Sequence, residues 1–178
     1  DDDMRPIEVA GCPPDAFSDD GQLWGNPVYD WKKMKANGYR WWVERAKRVF
    51  ELYDIVRIDH FRGFAGYYVI PYGDKTAKGG HWETGVGYEL FVEIEKAVPK
   101  AKIIAEDLGH ITPDVRDLLE KTGYPGMKVL QFAFSNDDNE YLPRTYKDEN
   151  CVVYTGSHDA DCTTSWCKKL KGDTLARF

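Results

Sequence analysis

The stretch V-R-I-D-H-F-R-G-F, residues Val56–Phe64, decides how this chain is read. An apolar, strand-like run (Ile55–Ile58, with Arg57 inside it) ends directly on the carboxylate Asp59. The same ending recurs further along. Glu106 closes K-I-I-A-E (Lys102–Glu106), and Asp159 follows V-V-Y-T-G-S-H (Val152–His158). Acidic groups at the C-terminal ends of parallel strands converge on one pocket in a (β/α) barrel. Convergent carboxylates suit acid-assisted chemistry on a neutral, hydroxyl-rich substrate better than they suit packing.

Working outward, the segments between these endings have helical spacing. Tyr39, Trp42, Val43, Ala46, Val49, Phe50 and Tyr53 recur at steps of three and four, with Arg40, Glu44, Arg45, Lys47, Arg48 and Glu51 on the other side. Leu90, Phe91, Ile94 and Ala97 mark a second helix before Pro99. Thr112-Pro113 supplies an N-cap and first-turn proline for a third, containing Val115, Leu118 and Leu119. Strands are expected near Ile103, Lys128 and Val152, at intervals of about 25 residues, one strand-plus-helix unit each. The fold class is therefore α/β with a parallel sheet or barrel. Residues 5–30 are rich in Pro, Gly, Asp and Asn and read as a long, turn-filled loop. Phe17, Leu23, Trp24, Val28, Tyr29 and Trp31 are interleaved there, so the loop is expected to be ordered. A second Gly-rich region spans residues 61–87.

Composition narrows the function classes. The hydrophobic content of 42% and charged content of 30% suit a soluble globular protein. A net charge of −6 argues against a nucleic-acid or anionic-membrane surface. No stretch approaches the roughly 20 apolar residues of a transmembrane helix. Cys12, Cys151, Cys162 and Cys167 form no C-x-x-C pair, and reduced thiols in a cytosol-like compartment are expected. At 178 residues the chain is short for a complete (β/α)8 barrel, which takes about 250. It reads as cut from something longer, with targeting information upstream left open.

Each candidate residue has a plain structural reading beside the chemical one. A single Asp or Glu is most often a solvated charge or a helix cap. Arg57 lies two residues before Asp59 and faces the same way on a strand, so it can hold Asp59 ionised and oriented as a nucleophile requires. The same spacing also fits an ordinary ion pair. Glu106 has Asp107 and no cation beside it, so carboxylate crowding and apolar surface should raise its pKa, which suits a general acid. His158 owes its interest to Asp159 beside it. His60 should point to the face opposite Asp59, and His81 and His110 lie in polar loops. Trp24, Trp31, Trp41, Trp42, Tyr67, Tyr68 and Trp82 are candidates for stacking on sugars. Trp42, Phe50 and Tyr53 fit a core better, and Trp24, in a Gly-flanked loop, is the preferred ligand platform.

Four motifs in order resemble one family. V-R-I-D-H-F-R-G-F resembles the nucleophile motif of the 4-α-glucanotransferases known as amylomaltases or disproportionating enzymes (glycoside hydrolase family 77). A-G-C-P-P-D-A-F-S-D-D-G-Q-L-W-G-N-P-V-Y-D-W (Ala10–Trp31) is similar to their active-site loop, I-I-A-E-D-L-G (Ile103–Gly109) to their acid/base motif, and Y-T-G-S-H-D-A-D (Tyr154–Asp161) to the motif of their third carboxylate. P-G-M-K-V-L-Q-F (Pro125–Phe132) stands between as a strand. The chain departs from the family pattern at Ala160, where Asn is common, and at Cys162, where Thr is usual.

The resemblance implies part of a (β/α)8 barrel of the α-amylase type, covering roughly strands four to seven, with residues 1–178 belonging to one catalytic domain. It implies Asp59 as nucleophile, Glu106 as acid/base and Asp159 as transition-state stabiliser, with Arg57, His158 and Trp24 as substrate-binding residues. It further implies α-1,4-glucans and maltooligosaccharides as substrates, glucose as an acceptor, no cofactor and no metal. A retaining pair of carboxyls should lie about 5–5.5 Å apart. A glycoside hydrolase of the same fold, a metal-dependent barrel hydrolase and a non-catalytic carbohydrate-binding fragment are the alternatives. A partial barrel alone, with open sheet edges, is expected to be unstable or inactive.

Overall fold

A computed structural model describes residues 4–15 and 18–178, so Phe17 lies outside the described residues. The chain opens with two strands, β1 (Glu8–Cys12) and β2 (Gln22–Pro27), paired antiparallel. The expectation of a turn-filled loop over residues 5–30 is thereby corrected: the turn residues connect a two-stranded hairpin. Gly11 shows why the composition misleads. A Cβ there would sit 2.3 Å from both the Gln22 carbonyl oxygen and Ile70 Cδ1, so glycine is needed for strands to approach.

Two helices follow, α1 (Trp31–Ala36) and α2 (Arg40–Leu52). The Asp30 side chain caps α1 by accepting from the Lys33 N–H at 3.0 Å. Tyr39 lies between the helices rather than within α2. Its backbone is left-handed (φ 55°), and its buried hydroxyl donates to Glu89 Oε2 at 3.1 Å. Tyr53, just past the end of α2, is exposed, so the apolar stripe is narrower than its spacing suggests.

Strand β3 (Val56–Ile58) leads into a 3-10 turn, Phe61–Phe64. Strands β4 (Gly66–Pro71) and β5 (His81–Thr84) complete a four-stranded antiparallel sheet in the order β2-β1-β4-β5. The glycine-rich region therefore also holds strands. Then come α3 (Tyr88–Ala97), β6 (Ile103–Ala105), α4 (Pro113–Thr122), β7 (Gly126–Val129), β8 (Cys151–Tyr154), α5 (Thr163–Lys169) and α6 (Gly172–Arg177). Thr112 holds the N-cap position of α4 in extended backbone with Pro113 at its start, but its side chain makes no capping hydrogen bond; Gly123 (φ 65°) ends the helix.

The parallel strands form an arc. β3 pairs with β6 in the register Val56↔Ile103 to Ile58↔Ala105, and β7 pairs with β8 from Gly126↔Cys151 to Val129↔Tyr154. The Ala105 N–H donates to the Pro125 carbonyl at 2.9 Å and joins the two pairs. The order β3-β6-β7-β8, with α3 and α4 between successive strands, is part of a (β/α) barrel. The main core lies between this arc and its helices, around Phe61, Phe64, Leu90, Phe91, Ile94, Ile103 and Tyr124. Phe61 and Phe91 are fully buried, each contributing about 1.5–3 kcal/mol through burial. Among the described residues, no helix is long and apolar enough to cross a membrane.

Candidate active site

Asp59 leaves β3 where the strand conformation ends. Arg57, two residues earlier, places Nη1 2.6 Å from Asp59 Oδ1, and its Nε lies 3.2 Å from Met127 Sδ on β7. The guanidinium is thus held between β7 and the carboxylate. The Asp59 side chain is 73% exposed, so its position past an apolar strand does not desolvate it.

Glu106, at the end of β6, sits in the opposite environment. Its Oε2 accepts from the His60 backbone N–H at 2.7 Å, and its Oε1 from the Leu108 N–H at 2.8 Å. Burial pushes its pKa above the ordinary range. The two N–H bonds pull the other way, as does Arg57, while the neighbouring charge of Asp59 adds to the rise. The direction expected from sequence holds, with burial rather than carboxylate crowding as the larger cause.

His60 corrects the expectation that it faces away. The side-chain alternation of a strand holds only while the backbone stays extended, and His60 is left-handed (φ 48°). Its ring lines the same cleft as Asp59 and meets the Trp24 ring edge-on, with centroids 4.9 Å apart. Burial, and secondarily Arg62, lower its pKa against the pull of Asp59, favouring the neutral imidazole. Trp24, on β2, is 43% exposed and faces this cleft.

The third carboxylate is less enclosed. Asp159 lines the cleft, and His158 Nε2 lies 3.3 Å from Asp159 Oδ1, both side chains being largely exposed. Their turn is anchored by buried Gln131, whose Nε2 donates to the Asp161 carbonyl at 2.9 Å. A Cβ on Gly156 would meet that same Nε2 at 2.5 Å. Asp107, next to Glu106, is structural: it accepts from the Met127 N–H at 2.7 Å, and burial raises its pKa.

Asp59, Glu106 and Asp159 therefore face one cleft of about 1240 Å³. Its walls include Tyr67, one of the aromatics expected to stack on sugars, Tyr29 from the loop-like motif, and four residues that sequence reasoning missed: Phe132, Ser135, Asn139 and Tyr141. Nothing local marks those four, because all come from the segment after β7, which no motif assigned to the site. Phe132 and Tyr141 stack edge-on at 5.6 Å, and burial pushes the Tyr141 hydroxyl up to about 12. A smaller cavity, about 590 Å³, opens around Ile55, Ile103 and Val152 at the other end of the strands.

An open cleft lined by one half-buried and two exposed carboxylates and walled by aromatics suits chemistry on a sugar chain. Residues 2–177 match the family model described as 4-alpha-glucanotransferase. The chain belongs to the 4-alpha-glucanotransferase family. It is 51% identical over 164 residues to the 4-alpha-glucanotransferase of Clostridium butyricum, covering 92% of this chain and 34% of that protein. It is 53% identical over 166 residues to the chloroplastic/amyloplastic 4-alpha-glucanotransferase of Solanum tuberosum, covering 93% and 29%. Among solved structures, the amylomaltase from Streptococcus agalactiae in complex with acarbose superposes with a TM-score of 0.94 at 40% identity, over 99% of this chain and 36% of that one. The chain thus spans about a third of the length of the relatives it matches. The partial α-amylase-type barrel expected from the motifs is the architecture of the family.

Proposed function

We propose that this chain carries the catalytic centre of a 4-α-glucanotransferase that works by retaining double displacement. The observation that carries the reading is the pairing of two carboxylates at neighbouring parallel strand ends in opposed environments. Asp59 is exposed and held by Arg57, whereas Glu106 is half-buried and its pKa is raised, chiefly by that burial. Membership of the family supports the same reading.

Asp59 attacks the anomeric carbon of an α-1,4-glucan, and Glu106 protonates the departing glycosidic oxygen. A covalent glucosyl ester on Asp59 results. Glu106, now ionised, takes the proton from the 4-hydroxyl of an incoming sugar, which displaces Asp59 and receives the glucan segment. The two N–H donors on Glu106 stabilise its ionised form for this second step. Asp159 binds ring hydroxyls as the sugar flattens towards an oxocarbenium ion, with His158 orienting it. Trp24 provides a face for a sugar ring beside the reacting bond. The β1–β2 hairpin serves as an active-site wall that keeps water from the ester, which favours transfer over hydrolysis.

The substrates on this reading are maltooligosaccharides and longer α-1,4-glucans, with glucose as a minimal acceptor. That places the enzyme in starch, glycogen or maltose metabolism. Four free cysteines fit a reducing, cytoplasmic setting, or a plastid if the source is a plant. The test is product analysis on maltotriose with the full-length enzyme. Transfer yields glucose together with longer maltooligosaccharides, and Asp59→Asn and Glu106→Gln abolish it. Glucose and maltose without longer products would instead identify a hydrolase.

A further inference from the structure

One buried cation has no part in the mechanism above. Arg62 is 7% exposed, in the 3-10 turn three residues beyond Asp59. Its guanidinium carbon lies 4.2 Å from the centre of the Trp82 ring on β5, and its Nη1 donates to the His110 carbonyl at 2.7 Å. Burial lowers its pKa, while Asp114, in the first turn of α4, and Cys12 act in the opposite direction. Burying a guanidinium is unfavourable unless the geometry repays it, so its connections are informative.

Those connections converge on Glu106. His110 belongs to the segment between β6 and α4, and the same segment supplies the Leu108 N–H to Glu106 Oε1. Between the two anchors stands Gly109 at φ +82°, a joint with no side chain to stiffen it. The other oxygen of Glu106 is held by His60, the residue that opens the turn carrying Arg62. Arg62 therefore grips one donor segment by its own backbone and the other by its side chain.

We infer that Arg62 is a positioning residue for Glu106, tying the turn after β3 to the loop after β6 and so setting both backbone donors on the carboxyl. The inference rests on the acid/base reading of Glu106. The charged and titratable groups facing that carboxyl are Asp59 and Arg57 from β3 and Tyr141 from the segment after β7, with His60 at the turn. Among the described residues no hydrogen bond or ion pair joins Arg62 to Glu106 itself; its side chain bonds the His110 carbonyl, so it acts on the carboxyl through the backbone. N–H donors favour the ionised carboxylate; loosening one raises the pKa of Glu106. In a retaining enzyme the first step needs Glu106 protonated, so the alkaline limb of the kcat/KM profile moves to higher pH.

The experiment is the pH profile of maltotriose disproportionation by the full-length enzyme, wild type against Arg62→Met, Arg62→Lys and Glu106→Gln. Arg62→Met is expected to shift the alkaline limb upward by about half to one pH unit, the worth of one weakened hydrogen bond. It should lower kcat more than it changes KM. Arg62→Lys keeps a donor for the His110 carbonyl and should show a smaller shift in the same direction, which tests the idea even where the methionine variant fails to fold. A uniform loss of rate with the limb unmoved in the folded variants would overturn the positioning role. Failure of the underlying reading looks different: Glu106→Gln would then keep its activity and its alkaline limb.

Discussion

Replacing Arg57 with Met separates what the Arg57–Asp59 pair does for stability from what it does for the reaction. The bond is short, 2.6 Å, but the carboxylate it holds is 73% exposed and the guanidinium 27% exposed. Pairs this open to water contribute about 0–1 kcal/mol to folding. The remaining contact, Arg57 Nε to Met127 Sδ, is a weak acceptor interaction. The variant should lose at most about 1 kcal/mol, a fall in Tm of roughly 2–4 °C for a domain of this size. Catalysis is more demanding. Without Arg57 the Asp59 carboxylate rotates freely in solvent, and misplacement of a reacting group by about 1 Å costs on the order of 10²-fold. A 10²-fold loss corresponds to about 2.7 kcal/mol of barrier, well above the stability change. Calorimetry and steady-state kinetics on maltotriose measure the two quantities in one preparation. Arg57→Lys should recover part of kcat, because a Lys ammonium can still reach towards Asp59. A kcat within twofold of wild type, or a Tm loss beyond about 10 °C, would refute this account of Arg57.

Three further outcomes are expected. Asp107→Asn keeps an acceptor for the Met127 N–H but cannot ionise. Burial raises the folded pKa of Asp107, so that group's stabilising contribution is present below its unfolded value and lost as pH rises through the folded one. The variant should therefore melt higher than wild type at pH 7, with the gap closing in acid; a lower Tm at neutral pH counts against it. Phe61→Ala removes a fully buried ring packed on Phe64, Phe91 and Tyr124, and urea unfolding should register a loss of about 3–5 kcal/mol. Shortening the connection between β1 and β2 should raise the ratio of hydrolysis to transfer, measured as free reducing ends per transfer event. An unchanged ratio would remove the hairpin from the exclusion of water.

The strand-end carboxylates and the alternation of strands and helices are legible in the sequence because both are local. An apolar run of three or four residues closed by Asp or Glu reads the same in any register, and α3 and α4 carry their apolar spacing and end signals within about ten residues. The partial barrel and the membership of Asp59, Glu106 and Asp159 in one cleft follow from that pattern. Residues 5–30 read as a loop in the sequence because glycine and proline signal turns, whereas Gly11 serves close strand pairing.

Tertiary structure decided the chemistry at each position. The exposure of Asp59 and the half-burial of Glu106 depend on what covers each strand end, which the local spacing does not fix. His60 faces the cleft because its left-handed backbone breaks strand alternation, and its N–H then reaches a carboxyl 46 residues away. The aromatic walls at Tyr67, Phe132 and Tyr141 and the Arg62 link to His110 are likewise long-range contacts. The sequence by itself determined which groups stand at the strand ends, because side-chain periodicity is a property of the local backbone. Local spacing already paired Arg57 with Asp59, whereas the extent of each group's burial and the long-range donor from His60 to Glu106 came only from the fold, because burial and distance are set after the chain has closed on itself.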